Sequence, residues 1–382
     1  MSAVDSELVE QVRTELAVRA QPPTAAAVAQ VLRDRNHLVG GNSVLSIVEN
    51  LKQDHGFGVL SGLVETPGVT DVLVNGPDHI YIDRGSGLER TAVRFESEKH
   101  VRRFAQRLAA SAGRRLDDAS PFVDARLPEG IRLHAVLAPI VQPGTAISLR
   151  VMAKQVFKIA DLQELGMFDA DLAQMLRAVM QSRLAFVISG GTGAGKTTLL
   201  SALLSDVQSD HRLVIVEDST ELMPQHPHFL TLESRPSNIE GAGLITMRDL
   251  VRQALRMRPD RLVIGEVRGA EIVEMLAALN TGHEGGCGTI HANSSQDVPA
   301  RFEALGVAAG LSREAVHSQL AAALDLVIHV ERDADGKRRL KEISLVEVND
   351  GKVVVAPAVI NNHKTTIFTE KSRDLIDQLG LA

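Results

Sequence analysis

Residues 185–204 read AFVISGGTGAGKTTLLSALL, an apolar run, then a glycine-rich loop, then a leucine-rich amphipathic stretch. Gly190 to Thr197 fits the pattern G-x-x-x-x-G-K-[ST]. Glycines let such a loop curl until successive backbone N–H groups point at phosphate oxygens. Lys196 sets a positive charge against the β- and γ-phosphates, the Thr197 hydroxyl is a ligand for Mg²⁺, and the helix that follows adds its positive N-terminal end. A glycine-rich turn alone would carry little weight. Strand before and helix after make it a nucleoside triphosphate site, with Gly191, Thr192, Gly193, Ala194, Gly195, Lys196, Thr197 and Thr198 as the expected contacts.

Downstream of this loop the chain alternates apolar runs with helical patterns. Buried strands are expected at 185–189, 213–216, 229–232, 262–265 and 287–291, with helices at 197–207, 245–258 (stopped by Pro259) and 270–279. Continuous apolar strands separated by helices imply a mostly parallel sheet covered on both faces. Residues 326–360 read as antiparallel strands joined at Asp335-Gly336 and Asp350-Gly351.

Upstream, short strands are expected at 69–75 and 79–83, then a helix capped by Ser97 with Val101, Phe104, Ala105 and Leu108 on its apolar face and Gly113 at its end. Alternating runs follow at 122–127, 131–137 and 146–151. Before these, Val4, Leu8, Val12 and Leu16 recur at helical spacing, Pro22-Pro23 breaks the pattern, and a second helix spans 24–38. The expected organisation is a helical N-terminal appendage (1–43), an α+β domain (44–151), a linker (152–160) and an α/β domain (161–382).

Composition narrows the function classes. The net charge of −7, no Trp and one Tyr argue against a nucleic-acid binder, which is usually basic and supplies stacking surfaces. One cysteine excludes an intrachain disulfide and fits a reducing cytosol. No stretch approaches the roughly 18 apolar residues of a membrane span, and no signal peptide is read at the start.

Three further segments stand at suitable distances from the loop. Ile215-Val216-Glu217-Asp218-Ser219-Thr220-Glu221 places acids at a strand end, Leu262-Val263-Ile264-Gly265-Glu266 ends an apolar strand in an acid, and residues 281–293 read TGHEGGCGTIHAN. With the phosphate loop they resemble the Walker A, Asp box, Walker B and His box of the type II/type IV secretion ATPase superfamily. Arg256-Met257-Arg258-Pro259-Asp260-Arg261, Gly265-Glu266-Val267-Arg268-Gly269, and upstream residues 69–77, 113–117 and 121–127 look like its CpaF/TadA branch, the tight-adherence (Flp) pilus motors. The resemblance runs from about 44 to 348. Walker B ends in Glu266 where many other P-loop enzymes have Asp, which counts against a GTPase.

The resemblance implies a RecA-like P-loop motor domain behind a smaller α+β sensor domain. It implies an ATPase using ATP and Mg²⁺, a homo-oligomer (a hexameric ring), and polytopic inner-membrane platform proteins as partners. The expected place is the cytoplasmic face of the inner membrane, with no stable nucleic-acid partner; a nucleic-acid-translocating ATPase is the alternative. Glu266 is expected to orient Mg²⁺ or the attacking water, and Glu217 to polarise that water, although the sequence leaves their division of labour open. The resemblance makes His291 a γ-phosphate sensor, against the plainer reading of a structural histidine. Spacing of His283, Cys287 and His291 also invites zinc, for which a fourth ligand is missing. Arg126 and Arg132, with Arg150, are expected to contact the phosphates from the smaller domain. Arg248, Arg252 and Arg256 read as a solvated stripe or a subunit contact.

Overall fold

The computed structural model describes residues 56–381, apart from 86, 128–129, 152–155, 236, 238–241, 283, 334 and 363–364, together with 24–34 and scattered positions before 49. The chain divides into two compact units, Met1–Ala153 and Lys154–Ala382.

In the first unit, α1 (Ala25–Asp34) buries Val28, Val31 and Leu32 against Val12, Ile47 and Val48. The helical face at 24–38 is thus confirmed over α1, whereas most of 4–20 lies outside the described residues. Ile47 and Val48, beyond the expected end of the appendage, share its core.

Six strands follow: β1 (Asp71–Asn75), β2 (Ile80–Asp83), β3 (Leu88–Arg90), β4 (Phe122–Arg126), β5 (Arg132–Val136) and β6 (Ala146–Arg150). They form one antiparallel sheet in the order β3-β2-β1-β6-β5-β4. Helix α2 (Glu98–Ser111) starts where the Ser97 hydroxyl accepts the His100 N–H and stops before Gly113, which is left-handed at φ +68°. Its Val101, Phe104, Ala105 and Leu108 cover the apolar face set by Val72, Val74, Leu133, Ala135, Ile147 and Leu149. Period-two alternation leaves the opposite face mixed, with polar residues beside exposed Phe122. There Arg126, Arg132, Arg150 and Asp71 are direct cross-strand neighbours in one row.

The second unit opens with α3 (Ile159–Glu164), so the expected linker already turns helical at its end. Then come α4 (Ala170–Gln181), β7 (Phe186–Gly190), α5 (Lys196–Leu204), β8 (Leu213–Glu217), β9 (Phe229–Glu233), α6 (Met247–Ala254), β10 (Arg261–Val267), α7 (Ile272–Leu279) and β11 (Cys287–His291). The chain closes with α8 (Val298–Ala308), α9 (Arg313–Ala323), β12 (Leu326–Arg332), β13 (Arg338–Asn349), β14 (Lys352–Asn361), β15 (Thr366–Phe368) and α10 (Ser372–Leu379).

All nine strands belong to one sheet, ordered β15-β14-β13-β12-β7-β11-β10-β8-β9. From β12 to β9 every pairing is parallel. The C-terminal strands are antiparallel to one another, as expected, and β12 joins them to the parallel sheet by pairing with β7. Asp350 (φ +50°) and Gly351 (φ +73°) both adopt left-handed conformations, as the two-residue hairpin between β13 and β14 requires. Helices α4 and α5 bury one face of the sheet, and α6 to α9 the other.

Candidate nucleotide site

The phosphate loop leaves the middle strand of this sheet. β7 is wholly buried, and its last residue, Gly190, adopts φ +155° with its Cα pressed against the Val330 carbonyl of β12, where a side chain would clash. Gly195, left-handed at φ +95°, caps α5. Lys196 is therefore the first residue of α5, largely buried, with its ammonium turned back into the loop. Nζ donates to the carbonyls of Gly190 (3.0 Å) and Gly191 (2.9 Å) and lies 3.4 Å from the His291 ring nitrogens. Burial pushes the Lys196 pKa down, and the charges of Glu266 and Glu221 oppose that shift.

Glu266 reaches this point because β10 is irregular. Ile264 pairs with Gly288 and Val267 with Ile290, so β10 carries one extra residue across Gly265-Glu266. Such a bulge re-aims a side chain at the end of a strand. Glu266 Oε1 comes to 3.4 Å from His291 Nε2. Thr289 Oγ1 donates to the Gly265 carbonyl at 2.6 Å and holds the bulge. Burial, then Lys196, lowers the His291 pKa below its usual 6.5, with Arg301 and Arg268 acting in the same direction and Glu266 against. Lys196, Glu266 and His291 thus form one cluster.

Glu217 has a different place. It is buried over Gly265, and its Oε1 accepts the N–H groups of Glu221 and Leu222, each at 3.0 Å. One carboxylate oxygen is thereby committed to shaping the turn after β8. Sequence reasoning favoured Glu217 over Glu221 for polarising water; in the structure exposed Glu221, with Glu266, is the acid whose charge acts on Lys196. Asp218 pairs with Arg268, joining the ends of β8 and β10.

Gly191, Thr192 and Gly193 are exposed, Ala194 is buried, and Thr197 and Thr198 are half-buried on the first turn of α5. Thr197 and Glu266 offer the hard oxygen donors that Mg²⁺ takes, with phosphate oxygens to complete its shell. Arg126, Arg132 and Arg150 belong to the first unit, and Arg150 pairs with Asp71 at 3.3 Å. Arg248 and Arg252 are not a free solvated stripe. Both bind Oε1 of the nearly buried Glu274, each at 2.7 Å. His283 lies outside the described residues; Cys287 is fully buried, with a thiol pushed up to about 12 by burial.

Arg338 was not legible beforehand. It begins β13, and its Nε donates to the Gly193 carbonyl at 3.0 Å. No local pattern marks it, because only the pairing of β12 with β7 carries that hairpin to the loop.

Residues 53–374 match the family described as type II/IV secretion system protein. The chain belongs to that family. Among relatives of this type II/IV secretion system protein, a putative conjugal transfer protein of Mycobacterium tuberculosis H37Rv is 52% identical over 323 residues, covering 83% of this chain and 92% of the relative. The conjugal transfer protein TrbB of Rhizobium radiobacter is 31% identical, over 73% of this chain and 84% of its own length. The crystal structure of the Legionella pneumophila ATPase DotB shares the fold at 18% identity, with a TM-score of 0.51 over 76% of this chain and 79% of that one. The family's fold, a RecA-like motor domain behind an N-terminal domain, is the fold seen here.

Proposed function

We propose that this chain hydrolyses ATP and converts the energy into mechanical work for a type II/IV secretion machine, specifically the assembly of a tight-adherence (Flp) pilus. The observation that carries the reading is the cluster of Lys196, Glu266 and His291 around the Gly190–Thr197 loop, within a chain of this family. Lys196 carries the charge that meets the β- and γ-phosphates, and entering phosphate oxygens take over from the two loop carbonyls that its ammonium now binds. Glu266, aimed by the bulge, orients the attacking water, while Glu217 acts indirectly by holding the 218–222 turn. His291 stands between Lys196 and Glu266 and reads the γ-phosphate through both. Thr197 and Glu266 would hold Mg²⁺, which would neutralise phosphate charge.

The smaller domain (44–151) acts as sensor and lid in this proposal, joined by 152–160 to the motor (161–382), with 1–43 as an appendage. Arg126, Arg132 and Arg150 supply positive charge to the nucleotide of their own chain. The three arginines occupy one row of the sheet, and a guanidinium can clamp two phosphate oxygens at once. The chain works as a homohexamer at the cytoplasmic face of the inner membrane, pushing on polytopic platform proteins. The name of the 52%-identical relative favours a second reading, the motor of a conjugal transfer apparatus.

Phosphate release by the purified chain tests the core of this, with Lys196→Ala as control: turnover within a factor of two of wild type would sink the ATPase assignment. Mixing Lys196→Ala with Arg126→Ala subunits tests the lid. An arginine acting in cis leaves every site broken, and clear recovery of hydrolysis would show that it acts in trans. Deleting the gene in its host separates the two machines, through loss of surface filaments or loss of mating.

A further inference from the structure

Behind the phosphate loop, on the face of the sheet away from α5, a polar row interrupts an apolar layer. Ser189, His329 and Glu342 are direct neighbours on β7, β12 and β13, and all three are buried. Two residues earlier on the same face, Val187 and Val327 pack in the ordinary way. Ser189 Oγ lies 2.9 Å from His329 Nδ1. Glu342 Oε1 accepts the hydroxyl of the buried Ser295 and, at 3.4 Å, the side-chain amide of Gln296. The Ser344 hydroxyl stands 3.5 Å from that of Ser295. Burial lowers the His329 pKa, and the charge of Glu342, its cross-strand neighbour, opposes that shift.

Polar groups in such a position cost free energy unless they are bonded, and a row of valines would pack the same space without that cost. The two ends of the row give it a purpose. Ser189 directly precedes Gly190, whose carbonyl holds Lys196. Ser295 stands in the loop that leaves His291 and crosses to α8. The row therefore ties the stem of the phosphate loop to the stem of the histidine that faces it, through two strands that carry no recognisable motif.

We propose that Ser189, His329, Glu342 and Ser295 form a buried tie that fixes the phosphate loop and the loop after His291 as one body, with His329 and Glu342 as positioning residues for hydrolysis. β7 and β11 already pair directly, Gly190 beside His291, and the tie braces from behind the two loops that leave these strands. Its role in turnover rests on the ATPase reading; its mechanical part does not.

Amide hydrogen exchange on the full-length chain tests the mechanical part, using Ser189→Ala and Ser295→Ala, which each remove one hydroxyl and little volume. Coupling between two sites is reciprocal. Ser189→Ala is expected to speed exchange in 292–297, and Ser295→Ala in 190–195, each by about fivefold or more. Change confined to the segment each residue touches overturns the tie, whether or not the chain hydrolyses ATP. In steady-state assays both variants should lose about tenfold in kcat with KM within twofold, because the placing of catalytic groups rather than nucleotide affinity is disturbed. Ser189→Thr, which restores the hydroxyl, should recover most of the loss. A purely structural row would lower the melting temperature and leave kcat untouched, and that result also refutes the positioning role.

Discussion

Replacing Glu217 by alanine separates a shaping role from a chemical one. In the folded chain its Oε1 accepts two backbone N–H groups, those of Glu221 and Leu222, both at 3.0 Å, and the side chain is buried. Hydrogen bonds to a charged acceptor are worth roughly 1.5–3 kcal/mol each, and water reaches a buried N–H poorly once the acceptor is gone. The substitution should therefore cost about 3–5 kcal/mol, the lower part of the summed range. For a domain of roughly 150–250 residues each kcal/mol moves the melting point by about 2–4 °C, so a fall of roughly 6–20 °C is expected. Differential scanning calorimetry reads this directly. Glu217→Gln keeps an acceptor at the same place and should retain more than half of the lost stability. If Glu217→Ala melts within about 2 °C of wild type while turnover drops a hundredfold, the carboxylate is part of the chemistry and the reasoning fails.

Gly190→Ala should yield little folded protein, because the new methyl meets the Val330 carbonyl in a backbone conformation that alanine avoids; soluble yield and circular dichroism decide it. Burial holds the folded pKa of His329 below its ordinary 6.5, so on acidification the unfolded chain takes up that proton first. Stability should consequently fall as pH drops below about 6.5, and His329→Gln should show a shallower fall between pH 7 and 5.5 in thermal melts. Cys287, its thiol pushed up to about 12, should resist iodoacetamide at pH 8 in the folded chain and react once denatured; fast labelling of native protein would contradict its burial.

The strands and the phosphate loop were legible because their signals are local. Apolar runs mark buried parallel strands, and a loop that must wrap phosphate needs glycines at fixed places. Glu266 was legible as a strand-end acid, but not the bulge that aims it, which depends on pairing between β10 and β11. Glu217 was ambiguous for the same reason: a strand-end acid reads identically whether it faces a ligand or caps its own turn, and only the fold shows its Oε1 on the Glu221 and Leu222 N–H groups. Arg248 and Arg252 looked solvated because their partner, Glu274, sits on another helix. Arg338, His329 and Glu342 could not be found at all, since their importance arises from a hairpin laid beside β7 by topology.

The place of β7 in the sheet also bears on how the protein is made. A ribosome that has released residues 186–190 has still to synthesise 287–291 and 326–332, the two strands between which β7 lies. Until the first emerges the loop-bearing strand has no partner on either edge, and until the second does one edge stays open to other chains or to a chaperone. Pairings between segments so far apart in sequence are also slow to form. The nucleotide cradle is thus completed late in synthesis, and a chain cut before residue 326 would carry every residue of the phosphate motif and no cradle to hold it.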